Sequence, residues 1–200
     1  MIFPSQELQA VLKTVIDYSI TILCLILLIP VILLLVIAIK LSGKGPVIYS
    51  QKRIGRFGKP FTIYKFRSMH SGEEDDISLI SDKKDIRITP LGRFMRKHKF
   101  DEIPNFINVL KGEMSIVGPR PEQQYFIDQI LLKEPQYKLL QKIKPGITSW
   151  GQVKYGYATT VDEMVERFEY DIYYFKNRSL WFDFKIMLYT IGIIIKGQGK

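Results

Sequence analysis

The dominant feature of the hydrophobic pattern is a run from Tyr18 to Ile39, 22 residues rich in Leu, Ile and Val and without a charge. As an α-helix it would be roughly 33 Å long, enough to cross the hydrocarbon core of a bilayer. It is longer than a signal-peptide core and no small-residue cleavage site follows it. A helix apolar on all sides is also hard to bury in so small a chain. Pro30 stands mid-run, where it cannot donate to the Ile26 carbonyl and its ring crowds that group, which predicts a kink. Two topologies follow. The kinked helix crosses the membrane, or it bends inside one leaflet and returns to the face it left.

Shorter patterns fill the rest of the chain. Residues 47–50 (VIYS) and 61–66 (FTIYKF) read as strands, and Gly55, Gly58 and Pro60 between them supply the turn of a hairpin. Ile103, Phe106, Ile107 and Leu110 recur at helical spacing, as do Phe126, Ile127, Ile130 and Leu131 before Pro135. Thr160 and Glu163 form a capping-box signature ahead of Met164, Val165, Phe168, Ile172 and Phe175. Ser179 is placed to cap a last helix whose uncharged run, Ile186 to Ile195, is too short to span a bilayer. That run suits either the membrane interface or the core. The expected fold class is α/β, mostly helical around a small hairpin or sheet, with amphipathic interfacial helices. The expected division is a membrane-inserted helix over residues 1–45 and a catalytic domain over 46–200.

Charge sharpens the picture. The 200 residues carry a net charge of +9, which calls for an anionic partner such as a phosphorylated substrate, acidic lipid or nucleic acid. Residues 40–67 contain eight Lys or Arg and no acid. Basic residues just beyond an apolar segment stay on the cytoplasmic face and attract anionic lipid. The acidic cluster Glu73–Asp76 reads as a solvated loop. Cys24 is the only cysteine, so neither an internal disulfide nor a Cys-based zinc site is possible. His70 and His98 have no metal-ligand spacing. The membrane run and the lack of a nucleic-acid module argue against nucleic acid.

Candidate chemistry centres on residues 97–122, KHKFDEIPNFINVLKGEMSIVGPRPE. Asp101 and Glu102 follow a basic run holding Arg93, Arg96, Lys97 and Lys99. One explanation is structural: Asp101 as an N-cap, worth about 1 kcal/mol, with Pro104 in the first turn. The other is chemical. A carboxylate meets phosphate only where cations neutralise it; Glu102 could then hold Mg²⁺ together with phosphate oxygens, and a carboxylate could act as nucleophile. Arg120, stiffened by Pro119 and Pro121, is suited to a bidentate grip on phosphate or to a plain surface turn. Lys65 and Arg67 flank Phe66 on one strand face, with solvation of that face as the simpler explanation.

Four blocks in order, FTIYKFRSM (61–69), LGRFMRKHKFDEIPNFINVLKGEMSIVGPRPE (91–122), KPGITSWGQV (144–153) and YDIYYFKNRSLWFDFKIM (170–187), give a specific resemblance along nearly the whole chain. It resembles the small, monotopic polyprenyl-phosphate phosphoglycosyl transferases of the bacterial sugar transferase family. The resemblance implies transfer of a sugar-1-phosphate from a UDP-sugar to a polyprenol phosphate such as undecaprenyl phosphate. UMP is released, as the first membrane step of surface glycan or exopolysaccharide assembly. It implies a ping-pong scheme with Mg²⁺, a covalent phospho-sugar on Asp101, and Glu102 as catalytic partner and metal ligand. Lys65, Arg67, Arg96 and Arg120 become phosphate or substrate ligands. It further implies a re-entrant helix broken at Pro30, on the inner leaflet of the bacterial cytoplasmic membrane. A homodimer stays open. Many members carry Ser before the membrane proline, where this chain has Ile29, and the stretch after the tryptophan loop, residues 152–157, also departs from the usual pattern. Larger members have further membrane helices ahead of this unit, so the chain fits a small member or the core of a larger one.

Two other functions compete. A non-enzymatic basic scaffold on the membrane surface explains the apolar run but not Asp101 and Glu102 beside Arg96 and Arg120. A glycosyltransferase moving only the sugar would release UDP in place of UMP.

Overall fold

The structure is a computed structural model that describes residues 6–70 and 85–199. The Glu73–Asp76 cluster lies outside them. The fold is mostly helical. Helix α1 (Gln6–Leu41) leads into an antiparallel hairpin, β1 (Ile48–Ile54) and β2 (Pro60–Phe66), with Ile48 opposite Phe66 and Ile54 opposite Pro60. The hairpin is therefore longer on its first strand than residues 47–50 suggested. Helix α2 (Pro90–Lys97) and a 3-10 turn (Phe100–Asn105) precede a short α3 (Phe106–Leu110). Next come β3 (Ser115–Val117), α4 (Gln124–Lys133), a second 3-10 turn (Pro135–Lys142) and β4 (Gly146–Thr148). Helices α5 (Trp150–Lys154), α6 (Val161–Asn177) and α7 (Leu180–Ile195) close the chain.

Local signals account for several boundaries. The Thr160 hydroxyl accepts from Glu163 N while the Glu163 carboxylate accepts from Thr160 N, so the expected capping box starts α6. The Ser179 hydroxyl accepts from Phe182 N and starts α7. β3 and β4 pair in parallel, a two-stranded element that no alternation announced. The stripe Ile103–Leu110 is only half a core face. Ile103 is buried, but the segment begins as a 3-10 turn and Ile107 and Leu110 stay exposed.

Helix α1 is long and apolar enough to cross a membrane by length and composition. The chain stays helical through Pro30. One stripe of this helix packs on the rest of the protein at both ends. Near its start Asp17 accepts from Ser115 Oγ at 2.7 Å, and Lys13 donates to Asp183 at 2.7 Å. Near its end Leu35 and Ile39 pack with Phe66, Met95 and Ile103. Asp17 and Ile39 lie 22 positions apart, about 33 Å along a helix. The other face exposes Ile22, Leu23, Ile26, Leu27, Leu33, Leu34 and Ile37. Helix α7 is divided in the same way: Ile186 is fully buried while Trp181, Phe184, Leu188, Ile191 and Ile195 are exposed. A second core, formed by Phe126, Ile127, Ile130, Met164 and Phe168, joins α4 to α6.

Candidate active site

The two acids sit where α2 reverses into the 3-10 turn. Thr89 caps α2 by accepting from Gly92 N, and Gly92 lies so close to the Ser68 backbone that a Cβ would collide with it. That approach puts Arg96 within reach of the segment just after β2, where its Nε donates to Ser68 Oγ at 2.8 Å. The chain then turns through Lys99, a non-glycine residue in the left-handed region at φ 56°. Such a conformation costs on the order of 1 kcal/mol and needs support from its surroundings. The turn delivers Asp101 and Glu102 inward, 6% and 4% exposed. Asn108 locks the segment onto the hairpin by donating to the Thr62 carbonyl at 2.6 Å and accepting from Tyr64 N at 3.4 Å.

Glu102 is the hub. Its Oε1 accepts from Lys65 Nζ at 2.8 Å and from Arg120 Nη1 at 3.3 Å. Its Oε2 is buried without a hydrogen-bond partner among the described residues, 3.9 Å from Lys99 Nζ. Burial pushes the Glu102 carboxyl up, but Lys65, Lys99 and Arg120 together outweigh it and hold it far below the usual carboxylate range. Asp101 goes the other way. Burial raises it, Lys65 lowers it, the charge of Glu102 raises it, and the net direction is up. Desolvation and the adjacent carboxylate outweigh the surrounding cations. Asp101 is also not the N-cap that its sequence position allowed. It lies inside the 3-10 turn, whose cap position is Lys99, and no side-chain capping bond forms.

Arg120 is held from both sides. Gly118 N donates to the Thr148 carbonyl at 3.0 Å and Gly146 N to the Pro119 carbonyl at 2.9 Å. Gly118 and Gly146 pass so closely that a Cβ on either would strike the other's strand. This clamp fixes the Gly-Pro-Arg-Pro loop. The guanidinium lies over the Tyr157 ring, 5.4 Å from its centre, and between two carboxylates: Glu102 at 3.3 Å and Glu122 at 3.9 Å. Glu122 was not singled out from the sequence. It also receives Arg53 at 3.2 Å and Arg167 at 2.7 Å. Its only sequence signal was a carboxylate two positions after Arg120, and the residues that complete the cluster come from β1 and α6.

The structure thus brings together Asp101, Glu102, Lys65 and Arg120, with Arg96 and Lys99 both acting on Asp101 through their charge. It separates Arg67 from them. The Arg67 guanidinium donates to the carbonyls of Ile39, Gly43 and Lys44, at 2.8, 2.9 and 2.8 Å. Its guanidinium is thus engaged by carbonyls at and just beyond the C-terminal end of α1. Strand β2 ends at Phe66, so the alternation that was to put Lys65 and Arg67 on one face stops between them.

The bacterial sugar transferase profile matches residues 8–197. The chain belongs to the bacterial sugar transferase family. Several members are close in sequence. A UDP-N-acetylgalactosamine–undecaprenyl-phosphate N-acetylgalactosaminephosphotransferase of Aeromonas hydrophila is 41% identical over 192 residues, covering 96% of this chain and 45% of the relative. A UDP-glucose:undecaprenyl-phosphate glucose-1-phosphate transferase of Klebsiella pneumoniae is 41% identical over 190 residues, covering 94% and 41%. An uncharacterised sugar transferase of Bacillus subtilis is 35% identical over 189 residues, covering 94% and 90%. The chain therefore spans less than half the length of the first two relatives and nearly all of the third. The motif blocks of this bacterial sugar transferase, from FTIYKFRSM to YDIYYFKNRSLWFDFKIM, all lie inside the matched span.

Proposed function

We propose that this chain transfers a sugar-1-phosphate from a UDP-sugar to undecaprenyl phosphate, releasing UMP, through a covalent phospho-sugar on Asp101. The observation that carries this reading is the pairing of two buried carboxylates of opposite tendency inside one cluster of cations. Glu102 is locked as an anion by Lys65 and Arg120. Asp101 is raised by burial, so it is the more basic and hence the better nucleophile once ionised.

The proposed chemistry is as follows. An Asp101 carboxylate oxygen attacks the phosphorus that bears the sugar. The bond from that phosphorus to the bridging oxygen breaks, and UMP leaves with the electron pair. The undecaprenyl phosphate oxygen then attacks the same phosphorus, the bond to Asp101 breaks, and the carboxylate returns. Arg120, Arg96, Lys65 and Lys99 supply fixed positive charge where phosphoryl charge develops, at no cost in reorganisation during the reaction. Mg²⁺ fits Glu102, whose Oε2 is a buried oxygen without a hydrogen-bond partner among the described residues. No group of three potential acidic, His or Cys ligands exists among the described residues, so the remaining coordination would fall to substrate oxygens and water. When bound, the ion would withdraw charge from the diphosphate.

The topology in this reading is re-entrant, on the cytoplasmic face of the inner membrane. Contacts about 33 Å apart along α1 are made to one and the same globular body, which a helix crossing to the far side could not keep. Its outward apolar face, with that of α7, would be the membrane-inserted surface. The test is UMP release from a panel of UDP-sugars by the purified chain, with and without undecaprenyl phosphate. Release of UDP in place of UMP would assign a glycosyltransferase, and no release a scaffold.

A further inference from the structure

Helices α2 and α7 end against each other, and the contact lies directly before the turn that carries Asp101. Helix α7 closes with Gly197 in the left-handed region at φ 60°. Gly197 N donates to the Ile194 carbonyl at 3.1 Å and Gln198 N to the Ile193 carbonyl at 2.9 Å, a Schellman ending. This ending brings Gly199 onto α2, where its N donates to the Lys97 carbonyl at 2.9 Å. That carbonyl is one of the last four of α2, for which the helix itself has no donor. The return contact comes from His98. Its Nδ1 donates to the Ile194 carbonyl at 3.0 Å, since a carbonyl can only accept. Its ring also packs with those of Phe94 and Phe100, at 5.1 and 5.9 Å between centres. The fit is tight: a Cβ on Gly199 would collide with the carbonyl oxygens of Arg96 and Lys97. Residues 97 and 98 are thus pinned by residues 199 and 194. The next residue is Lys99, whose left-handed conformation needs outside support, and two positions on comes Asp101.

We propose that His98 and Gly199 are positioning residues, which clamp the turn so that Asp101 is held in line for attack on phosphorus. The proposal rests on the reading of Asp101 as the nucleophile. Neither residue touches substrate; both act through the backbone of residues 96–101. With the clamp released, Lys99 is free to leave the left-handed region, and the direction of the two acids after it changes. Glu102 then loses its register with Lys65 and Arg120, and Asp101 its line to the substrate. A reacting group displaced by 1 Å typically loses about 100-fold in rate.

The experiment gives the full chain in mild detergent Mg²⁺ and a UDP-sugar without acceptor, and follows the phospho-sugar adduct by intact-protein mass spectrometry. Gly199→Val should slow adduct formation at saturating UDP-sugar roughly 100-fold, with the half-saturating concentration within about twofold of wild type. His98→Leu should slow it in the same way. His98→Asn, whose amide nitrogen stands where Nδ1 stood, should restore most of the rate. Gly192→Ala, where an added Cβ meets nothing, is the control and should match wild type. Hydrogen exchange at the amides of residues 99–102 should quicken in Gly199→Val and His98→Leu, and stay at the wild-type rate in His98→Asn and Gly192→Ala. A lower unfolding midpoint with adduct formation per folded molecule unchanged would make the contact merely structural and overturn the proposal. So would a His98→Asn no faster than His98→Leu, or a turn whose exchange does not respond to Gly199→Val. A wild type that forms no adduct overturns the reading of Asp101 instead, and the exchange rates alone then decide whether the clamp holds the turn.

Discussion

Glu122→Gln removes one charge from a deeply enclosed ion cluster. Glu122 is 4% exposed, and the Arg167 side chain that contacts it at 2.7 Å is 5% exposed. Arg53 at 3.2 Å and Arg120 at 3.9 Å complete the set. Taking one partner from a buried pair leaves an uncompensated charge and costs about 3–5 kcal/mol. Glutamine keeps an acceptor for Arg167, which favours the lower end, about 3 kcal/mol. At about 2–4 °C per kcal/mol for a chain of this size, the unfolding midpoint should fall by about 6–12 °C. Intrinsic fluorescence of Trp150 and Trp181 in detergent follows it. Adding Arg167→Met removes the stranded guanidinium, so the double variant should lose less than the two single losses combined. The pH dependence has a definite sign. Burial raises the Glu122 carboxyl, but Arg167, Arg53 and Arg120 outweigh it, and its folded pKa lies below the usual range. A depressed acid stabilises above its unfolded pKa and loses that contribution as pH falls through the folded value. The gap between wild type and variant should therefore be full at neutral pH and shrink below about pH 4. An unchanged midpoint, or a gap that widens on acidification, refutes the reasoning.

Three further outcomes are expected. Lys65→Met removes the largest influence lowering Asp101, so the acid limb of kcat/KM for the UDP-sugar should move to higher pH; a limb that stays or moves down contradicts the assignment. Arg67→Gln should cost about 3 kcal/mol in stability through lost charge-assisted bonds to the end of α1, with kcat per folded molecule within about twofold of wild type. Collapse of kcat at an unchanged midpoint would return Arg67 to the site. Ala10→Cys, in a Cys24→Ser background, should resist an impermeant maleimide in intact cells and react after permeabilisation, whereas labelling from outside would mean that α1 spans.

The sequence made the local features of this fold legible and left the long-range ones hidden. The hairpin, the Thr160–Glu163 box and the Ser179 cap all rest on residues a few positions apart, and all are present. The parallel pair β3–β4 is three residues long on each strand and buried, too short for alternation to show. Asp101, Glu102, Lys65 and Arg120 meet as expected, because motif order carried that information. The Arg67 guanidinium turns instead to the end of α1, because the exact end of β2 decides which way it points. Glu122 escaped notice because its partners, Arg53 and Arg167, lie 69 residues before it and 45 after it. The direction of the Asp101 shift depends on burial, which charge counting along the chain does not register.

The central claim is that Asp101 carries the phospho-sugar. Enzyme, Mg²⁺ and a UDP-sugar are incubated without acceptor and the intact protein is weighed. Wild type should gain the mass of one sugar-1-phosphate with one equivalent of UMP released, and Asp101→Asn should fold, bind UDP-sugar and gain nothing. Normal turnover by Asp101→Asn, or UMP that appears only when undecaprenyl phosphate is present and leaves no adduct, would mean direct transfer and would contradict the account.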